Sequence, residues 1–523
     1  MYYSFYGYND ADDGYTLALS WRIINGEIPY RDFIMVRPPL SPLFHALFLY
    51  IIPNDYQIIF DRFFCYLLFA LSSLLGAYTI DKAFGLKDFK INPSLLATVG
   101  FVFSVNCFPP MGWHTIDAIF FASIGIYILV CFSSTYSVII GLLFLFLSAL
   151  CKQPFYLMPI AGVVFVSLLH KNWNKTIISI ISILVFTSVF FLILYKEDAL
   201  KNFIELTTGS TKLVELLSAG FINYIAVNPL YLILLLASWL ILKNPFKFKY
   251  LSLNRDLVPY FFISILLLIP LARFIYILLF KEVTYQTSFS GNAIGKILFL
   301  ITIFALVANI SREKKWITLW FLILVSWCSS ISWGNKTPAL FSLPFIFGFL
   351  LVSNQFFRVK NIANLAMYIL VLGTVTYLIA YQKPYCNPLR QELTYKIDHL
   401  FPKLKNIKVS KEIHDKYTEL AELIIKYGNN FKTLPGMPLS NYLTNTKSPI
   451  VIDWVFNAET NNINSDIING LKFKKTIIFM EKYPQLISIS DSKEKFNSSV
   501  AYFIKKNWQK IDTTNYFEIY KAN

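Results

Sequence analysis

Residues 175–195 read KTIISIISILVFTSVFFLILY, a run in which no charge follows Lys175 and only Ser, Thr and a final Tyr interrupt the apolar residues. A helix rises about 1.5 Å per residue, so a run of this length reaches about 30 Å, the thickness of a bilayer's hydrocarbon core. Working outward, runs of similar character recur near 57–80, 94–110, 117–132, 136–151 and 154–169. Beyond it they recur near 223–243, 257–280, 293–310, 316–333, 338–353 and 362–381. The expected fold is an all-α polytopic membrane domain over residues 1–381 with about a dozen transmembrane helices. A thirteenth helix would be added if one is missing before the first residue. The shorter run 39–53, PLSPLFHALFLYIIP, is bracketed by prolines and reads as an interfacial helix lying along the membrane.

Composition agrees. Of 523 residues, 56% are hydrophobic and 15% charged, against about 25% charged in soluble domains, and the mean hydropathy is +0.53. The net charge of +16 is not gathered into a basic stretch interleaved with aromatics, so nucleic acid is not an expected partner. Instead the Lys and Arg residues sort by loop. Lys82, Lys87, Lys90, Lys171, Lys175, the group Lys243 to Arg255, Arg312 to Lys315, Arg358 and Lys360 make fourteen on one set of alternate loops. The opposite set holds six: Lys152, Lys196, Lys201, Lys212, Lys281 and Lys336. Cytoplasmic loops carry the excess of Lys and Arg, which puts residues 1–56 and everything after 381 on the outer face. The six cysteines form no CxxC or His/Cys cluster, so neither a zinc site nor a disulfide framework is expected.

After Tyr381 the composition shifts to Lys, Asn, Asp and Thr, and residues 382–523 read as a soluble extracytoplasmic α/β domain. SKEIHDKYTELAELIIKYG has helical periodicity, with Ile413, Tyr417, Leu420, Leu423 and Ile424 on one side. FKTLPGMPLSNYL, SPIVIDWV and KKTIIFME read as strand-bearing segments. No nucleotide-binding glycine motif occurs there, which leaves acceptor binding or shielding of a cavity as its role.

The first outer loop concentrates the chemistry. It carries Asp10, Asp12, Asp13, Glu27 and Asp32 against Arg22, Arg31 and Arg37, with Arg37 directly before Pro38-Pro39. The bland reading of the Asp12-Asp13 pair is helix capping near Gly14, since Asp is favoured at helix starts. The longer pattern, however, DDGYTLALSWRIINGEIPYRDFIMVRPPLSPLFHAL at 12–47, resembles the first outer loop of C-type membrane glycosyltransferases, which include protein O-mannosyltransferases and lipid A aminoarabinose transferases. GWHTIDAIFFA at 112–122 resembles that superfamily's second acidic motif, and LCKQPFYLMPI at 150–160 its Lys-x-Pro motif. The resemblance covers roughly residues 8–160; after that only architecture is similar. The thirteen-helix count would match the aminoarabinose-transferase branch.

The resemblance implies transfer of a sugar from a polyprenyl-phosphate donor to a glycan, lipid or protein acceptor at the outer face of a plasma membrane, in a bacterial inner membrane. It implies Asp12 and Asp117 as the catalytic acids, together holding a divalent metal cation if one is used. Arg37 and Lys152 would bind the donor phosphate, joined by Arg273 if that intramembrane charge faces the same cavity. Asp13, His114 and Asp32 would orient the acceptor. Two departures stand out: Asp13 occupies the usual Glu position, and Val36 precedes Arg37 where the aminoarabinose transferases carry Glu. The second puts the metal in doubt unless another acid, such as Asp32, serves. Asp12, Asp117, Arg37 and Lys152 are expected to line one outward-opening cavity. A polysaccharide polymerase or ligase, or a lipid-linked-sugar flippase, is the competing class; transporters put paired acids mid-membrane, whereas these sit at the surface.

Overall fold

A computed structural model of the chain describes residues 2–208, 233, 255–280, 291–309, 313–331, 338–460, 463–484 and 497–522. Up to residue 380 these form helices: α1 (Tyr15–Ile24), α2 (Leu40–Ile51), α3 (Gln57–Phe84), α4 (Pro93–Val105), α5 (His114–Cys131), α6 (Thr135–Ala149) and α7 (Leu157–His170). Then come α8 (Trp173–Lys196), α9 (Leu200–Thr208), α10 (Val258–Phe280), α11 (Gly291–Ala308), α12 (Lys314–Ser330), α13 (Leu343–Phe357) and α14 (Ile362–Ala380). Every expected apolar run but one coincides with a helix; the exception, 223–243, lies outside the described residues. Among the described residues, five segments are long and apolar enough to cross a membrane: Asn54–Phe84, His114–Cys131, Gln153–His170, Trp173–Lys196 and Ile362–Ala380. α4 stops at Val105 rather than running to 110, because Pro109 and Pro110 lack the amide hydrogens a continuing helix needs.

The arrangement of α8 shows what solvent the bundle is built for. Its buried positions are Thr176, Ser179, Ser182 and Leu194, while Ile177, Ile180, Ile181, Leu184, Val185 and Leu192 are exposed. Only 17% of its most apolar window is buried inside the protein. A helix of a water-soluble protein presents the reverse pattern, and an apolar surface this continuous marks contact with another apolar phase. Helix α2 follows the same logic on one side only. Leu47, Tyr50 and Ile51 face outward at 61%, 81% and 76% exposure, and Ser41, His45 and Leu49 face inward. Inside the bundle, small residues permit close crossings: a Cβ on Gly125 of α5 would come within 2.8 Å of the Gly141 carbonyl on α6.

The C-terminal region holds β1 (Tyr395–Lys396), β2 (Lys408–Val409), α15 (Lys411–Tyr427), β3 (Phe431–Leu434), α16 (Ser440–Leu443), α17 (Asn457–Thr460), α18 (Asn464–Phe473), β4 (Ile477–Glu481), α19 (Ser499–Asn507), β5 (Gln509–Thr513) and β6 (Phe517–Lys521). Four strands form one sheet in the order β3-β4-β6-β5, with β3 parallel to β4 and the other pairs antiparallel. α15 is the helix expected from periodicity: Ser410 caps it by accepting from the Ile413 amide, and Ile413, Tyr417, Leu420 and Leu423 are buried. The β5–β6 hairpin was not expected. SPIVIDWV, by contrast, is not a strand, because its backbone serves the first loop instead of a sheet edge. Val451 O accepts from Ile34 N–H at 2.6 Å, and Ile450 O accepts from the Arg22 guanidinium.

The hydrophobic core does not stop at residue 382. Tyr8, Leu17, Ala18, Leu49 and Ile58 pack in one cluster with Ile397, Phe401, Tyr417, Leu420, Leu439 and Tyr442. Gly14 belongs to this contact, since a Cβ there would lie 1.9 Å from Leu439 Cγ.

Candidate functional site

Three turns at one end of the bundle meet here, and backbone bonds bring them together. The Arg37-Pro38-Pro39 turn docks on the turn after α6, where Leu40 N–H donates to Leu150 O at 2.9 Å and the Gln153 side-chain amide donates to Val36 O. Tyr30, whose φ is +68°, donates its hydroxyl to Arg37 O. The turn before α5 joins through Thr16, whose hydroxyl donates to Gly112 O at 3.2 Å. Arg37, Lys152 and His114 are thereby carried to one place.

Their nitrogens are unusual. Nη1 of Arg37, Nζ of Lys152 and Nδ1 of His114 are each buried without a hydrogen-bond partner among the described residues. Lys152 and His114 are only 5% exposed, and Arg37 and Lys152 both lie within electrostatic reach of His114. Burial, reinforced by Arg37, lowers the Lys152 ammonium to about 7. Buried polar groups are nearly always paired, so three such orphans together point to a ligand that supplies the missing acceptors. Aromatic rings enclose the guanidinium: Arg37 Cζ lies 4.6, 5.9 and 5.7 Å from the ring centroids of Tyr15, Trp113 and Trp454. Trp454 belongs to the C-terminal region and is tied down by donating its indole N–H to Ala11 O at 3.2 Å. From the same region, Glu459 brings a carboxylate oxygen to 3.3 Å from Arg37 Nη2.

The three acids of the YNDADDGY turn point in three directions. Asn9 organises the turn by accepting from the amides of Ala11 and Asp12 at 2.9 and 2.8 Å. Asp10 pairs with Lys416 at 2.6 Å. Asp13 pairs with Arg62 of α3 at 2.9 Å and accepts from Asn9 N–H. The capping role expected of Asp13 is therefore corrected: no side chain caps α1, whose N-cap is Gly14, and a buried cation beneath the loop takes Asp13 instead. Asp12 alone has no cation within 4.0 Å among the described residues. Its carboxylate accepts from the Tyr385 hydroxyl. Burial raises it to about 6, with Tyr385 and Arg37 pulling down and Asp13 and Asp10 pushing up.

Asp117 sits in a different setting. It is 1% exposed, accepts from the Ser41 hydroxyl and faces His45 Nε2 at 3.2 Å, while His45 Nδ1 faces Asp61 at 2.6 Å. An imidazole set between two carboxylates, one on each nitrogen, is the geometry of an imidazolium. Asp61 completes the knot by accepting from Gly112 N–H at 2.8 Å. Asp12 and Asp117 thus have separate partner sets and share no contact. Among the described residues no group of three or more His, Cys, Asp or Glu side chains is placed to hold a metal ion. Asp32 accepts from Ile28 N–H at 2.8 Å and pairs with Arg31, so it stabilises its own turn away from the orphan nitrogens. The Arg273 side chain lies outside the described residues.

Tyr385, Trp454 and Glu459, which complete the site, were not anticipated, nor were His45 and Asp61. His45 lies within the 12–47 motif but was not singled out, and Trp454 lies near the end of SPIVIDWV, a segment that reads as an ordinary strand. No family model and no curated protein matches the chain in comparison with known sequences.

Proposed function

We infer that this protein is a multi-pass membrane glycosyltransferase that takes a sugar from a polyprenyl-phosphate donor and passes it to an acceptor hydroxyl at the outer membrane face. The observation that carries the reading is the meeting of three buried, unpartnered nitrogens, on Arg37, Lys152 and His114, beside the one acid of the first loop that no cation neutralises. The spans number about twelve, and the loop charges orient the site outward.

In the reaction the bond between the anomeric carbon and phosphate oxygen breaks, and the electron pair leaves with the phosphate. Negative charge grows on that group, and fixed cations held in a water-poor site stabilise it. The Arg37 fork can grip two phosphate oxygens, and Lys152, whose ammonium is lowered to about 7 by burial, is held in its charged form as an anion enters. Asp12 takes the proton of the acceptor hydroxyl as that oxygen bonds to the anomeric carbon. A base near 6 is ionised at neutral pH yet basic enough to help, which suits the task. Asp117, held by Ser41 and His45, acts through the turn it anchors, not on the sugar.

The test is transfer from a synthetic polyprenyl-phosphate sugar in proteoliposomes. Asp12→Asn should lower turnover by about 10²–10⁴, the usual worth of a general base, with donor binding retained. The parent's activity should rise with pH through about 6, and that limb should vanish in the variant. Full activity of Asp12→Asn would remove Asp12 from the chemistry. Accumulation of donor on the opposite leaflet without transfer would favour a flippase.

A further inference from the structure

The ring of groups around Arg37 is closed by a carboxylate from the far end of the chain. Glu459 is 10% exposed, and its contact with Arg37 Nη2, at 3.3 Å, is its one ion pair among the described residues. That is long beside the 2.7–2.9 Å typical of a charge-assisted hydrogen bond, and the neighbouring Nη1 stays unpartnered. A buried carboxylate with one loose counter-ion loses hydration without regaining a full pair. Burial accordingly holds the Glu459 carboxyl above its usual value, although Arg37 pulls it down. Glu481, more deeply buried in the same region, shows a structural carboxylate for comparison: it accepts from Lys416 at 2.7 Å and from Gly436 N–H at 2.8 Å. Nor does the local backbone need the Glu459 side chain. The turn of α17 is held by Glu459 N–H donating to Phe456 O at 2.9 Å and by Asn457 N–H donating to Asn497 O at 2.7 Å.

We propose that Glu459 is a displaceable stand-in for the donor's phosphate, occupying Arg37 until that tetrahedral group, a singly charged diester that becomes a dianion as the sugar leaves, binds among Arg37, Lys152 and His114 and expels it. The proposal rests on the reading of those nitrogens as a phosphate site and adds its control. One carboxylate satisfies one edge of one guanidinium; a phosphate presents enough oxygens for all three nitrogens at once. The exchange moves a side chain, not a domain, because the residues just before it are anchored. Asp453 is held by Arg22 and Lys432 at 2.8 and 2.7 Å, and Val455 N–H donates to Pro435 O. Glu459 therefore sets a threshold: an anion that reaches one edge of Arg37 does not displace it, whereas a tetrahedral oxyanion that reaches all three nitrogens does. Chloride and carboxylates are screened out, and the C-terminal region takes part in choosing the donor.

The experiment titrates sulfate, a tetrahedral dianion that does not change charge over the working pH range, into the purified full-length protein by calorimetry. Glu459→Gln should bind sulfate roughly tenfold more tightly than the parent. Glu459→Asp, whose shorter arm draws the carboxylate away from Arg37, should fall between the two. Lys152→Met should weaken sulfate binding in both backgrounds, which locates the ion. Equal or weaker affinity in Glu459→Gln, with an unchanged melting temperature, overturns the proposal, and so does absence of sulfate binding in both proteins. Tighter sulfate binding without transfer from any lipid-linked sugar would keep Glu459's role and discard the transferase reading. Transfer that depends on Asp12 with sulfate affinity indifferent to Glu459 would do the opposite.

Discussion

Along the contact between the first loop and the C-terminal region, Lys416 sits between Asp10 at 2.6 Å and Glu481 at 2.7 Å, and Asp453 sits between Arg22 and Lys432. A short way along the same loop, Arg37 meets Glu459 at 3.3 Å, while the Lys152 ammonium and His114 Nδ1 meet no partner. Both regions are buried, both are charged, and both join residues some four hundred positions apart. In the first, cations and acids are matched and the contacts are short. In the second they are not. Buried pairs missing a partner are strongly destabilising, so a chain that completes one set and leaves the next unfinished marks the second as a place where something else completes it.

The comparison can be broken from its finished side first. Lys416→Met would leave Asp10 and Glu481 facing each other without their cation, and thermal denaturation should show a loss of about 3–5 kcal/mol, the cost of orphaning a buried pair. A loss below about 1 kcal/mol would mean the network is hydrated and the contrast is false.

Asp12 offers the next largest effect, with a defined pH dependence. Its carboxyl is raised from 3.8 to about 6 in the folded protein, so the fold holds that proton more tightly than the unfolded chain does. The stabilisation is fully present below the unfolded value and is lost as pH rises through about 6. Asp12→Asn, permanently neutral, should match the parent near pH 3.8 and exceed it above about 6 by on the order of 3 kcal/mol. Parallel melting curves at all pH values would show that Asp12 is not held in a desolvating site.

Lys152→Met sharpens the contrast with Lys416, because the sign should reverse. Removing an unpartnered buried amine should leave stability unchanged or raise it by about 1 kcal/mol, even as transfer activity falls. A clear destabilisation would mean that Lys152 has a structural partner. The smallest effect belongs to Asp32→Asn, which removes a half-exposed pair with Arg31 and should shift stability by less than about 1 kcal/mol without affecting transfer. A large loss of activity there would return Asp32 to the site.

Much of this was legible in the sequence, and what was not shares a cause. The apolar run at 175–195 is helix α8, and the periodicity of 411–427 is α15, because both signals are local. Arg37 and Lys152, from motifs in separate loops, lie within electrostatic reach of His114, whereas Asp117, expected beside them, is held by Ser41 and His45. The helix-capping reading of the Asp12-Asp13 pair fails because nothing near it in sequence reveals Arg62 beneath Asp13. SPIVIDWV has strand-like composition, but its hydrogen-bonding groups are taken by Arg22 and Ile34, which no local pattern shows. Glu459 is one acid among many until it is seen beside Arg37. Position-specific chemistry that depends on contacts four hundred residues apart leaves no mark in composition or spacing.

The shared core of Leu17, Ala18, Leu439 and Tyr442 also bears on the order in which the chain is built. Arg22 waits for Asp453, 431 residues later, and Asp10 waits for Lys416, 406 residues later. During synthesis, at about 5–20 residues per second, the first loop stays without these partners for on the order of half a minute. The loop that bears Asp12 is thus made long before the residues that hold it and is among the last parts to set. A ribosome that stops before residue 453 leaves Arg22 without the Asp453 that holds it.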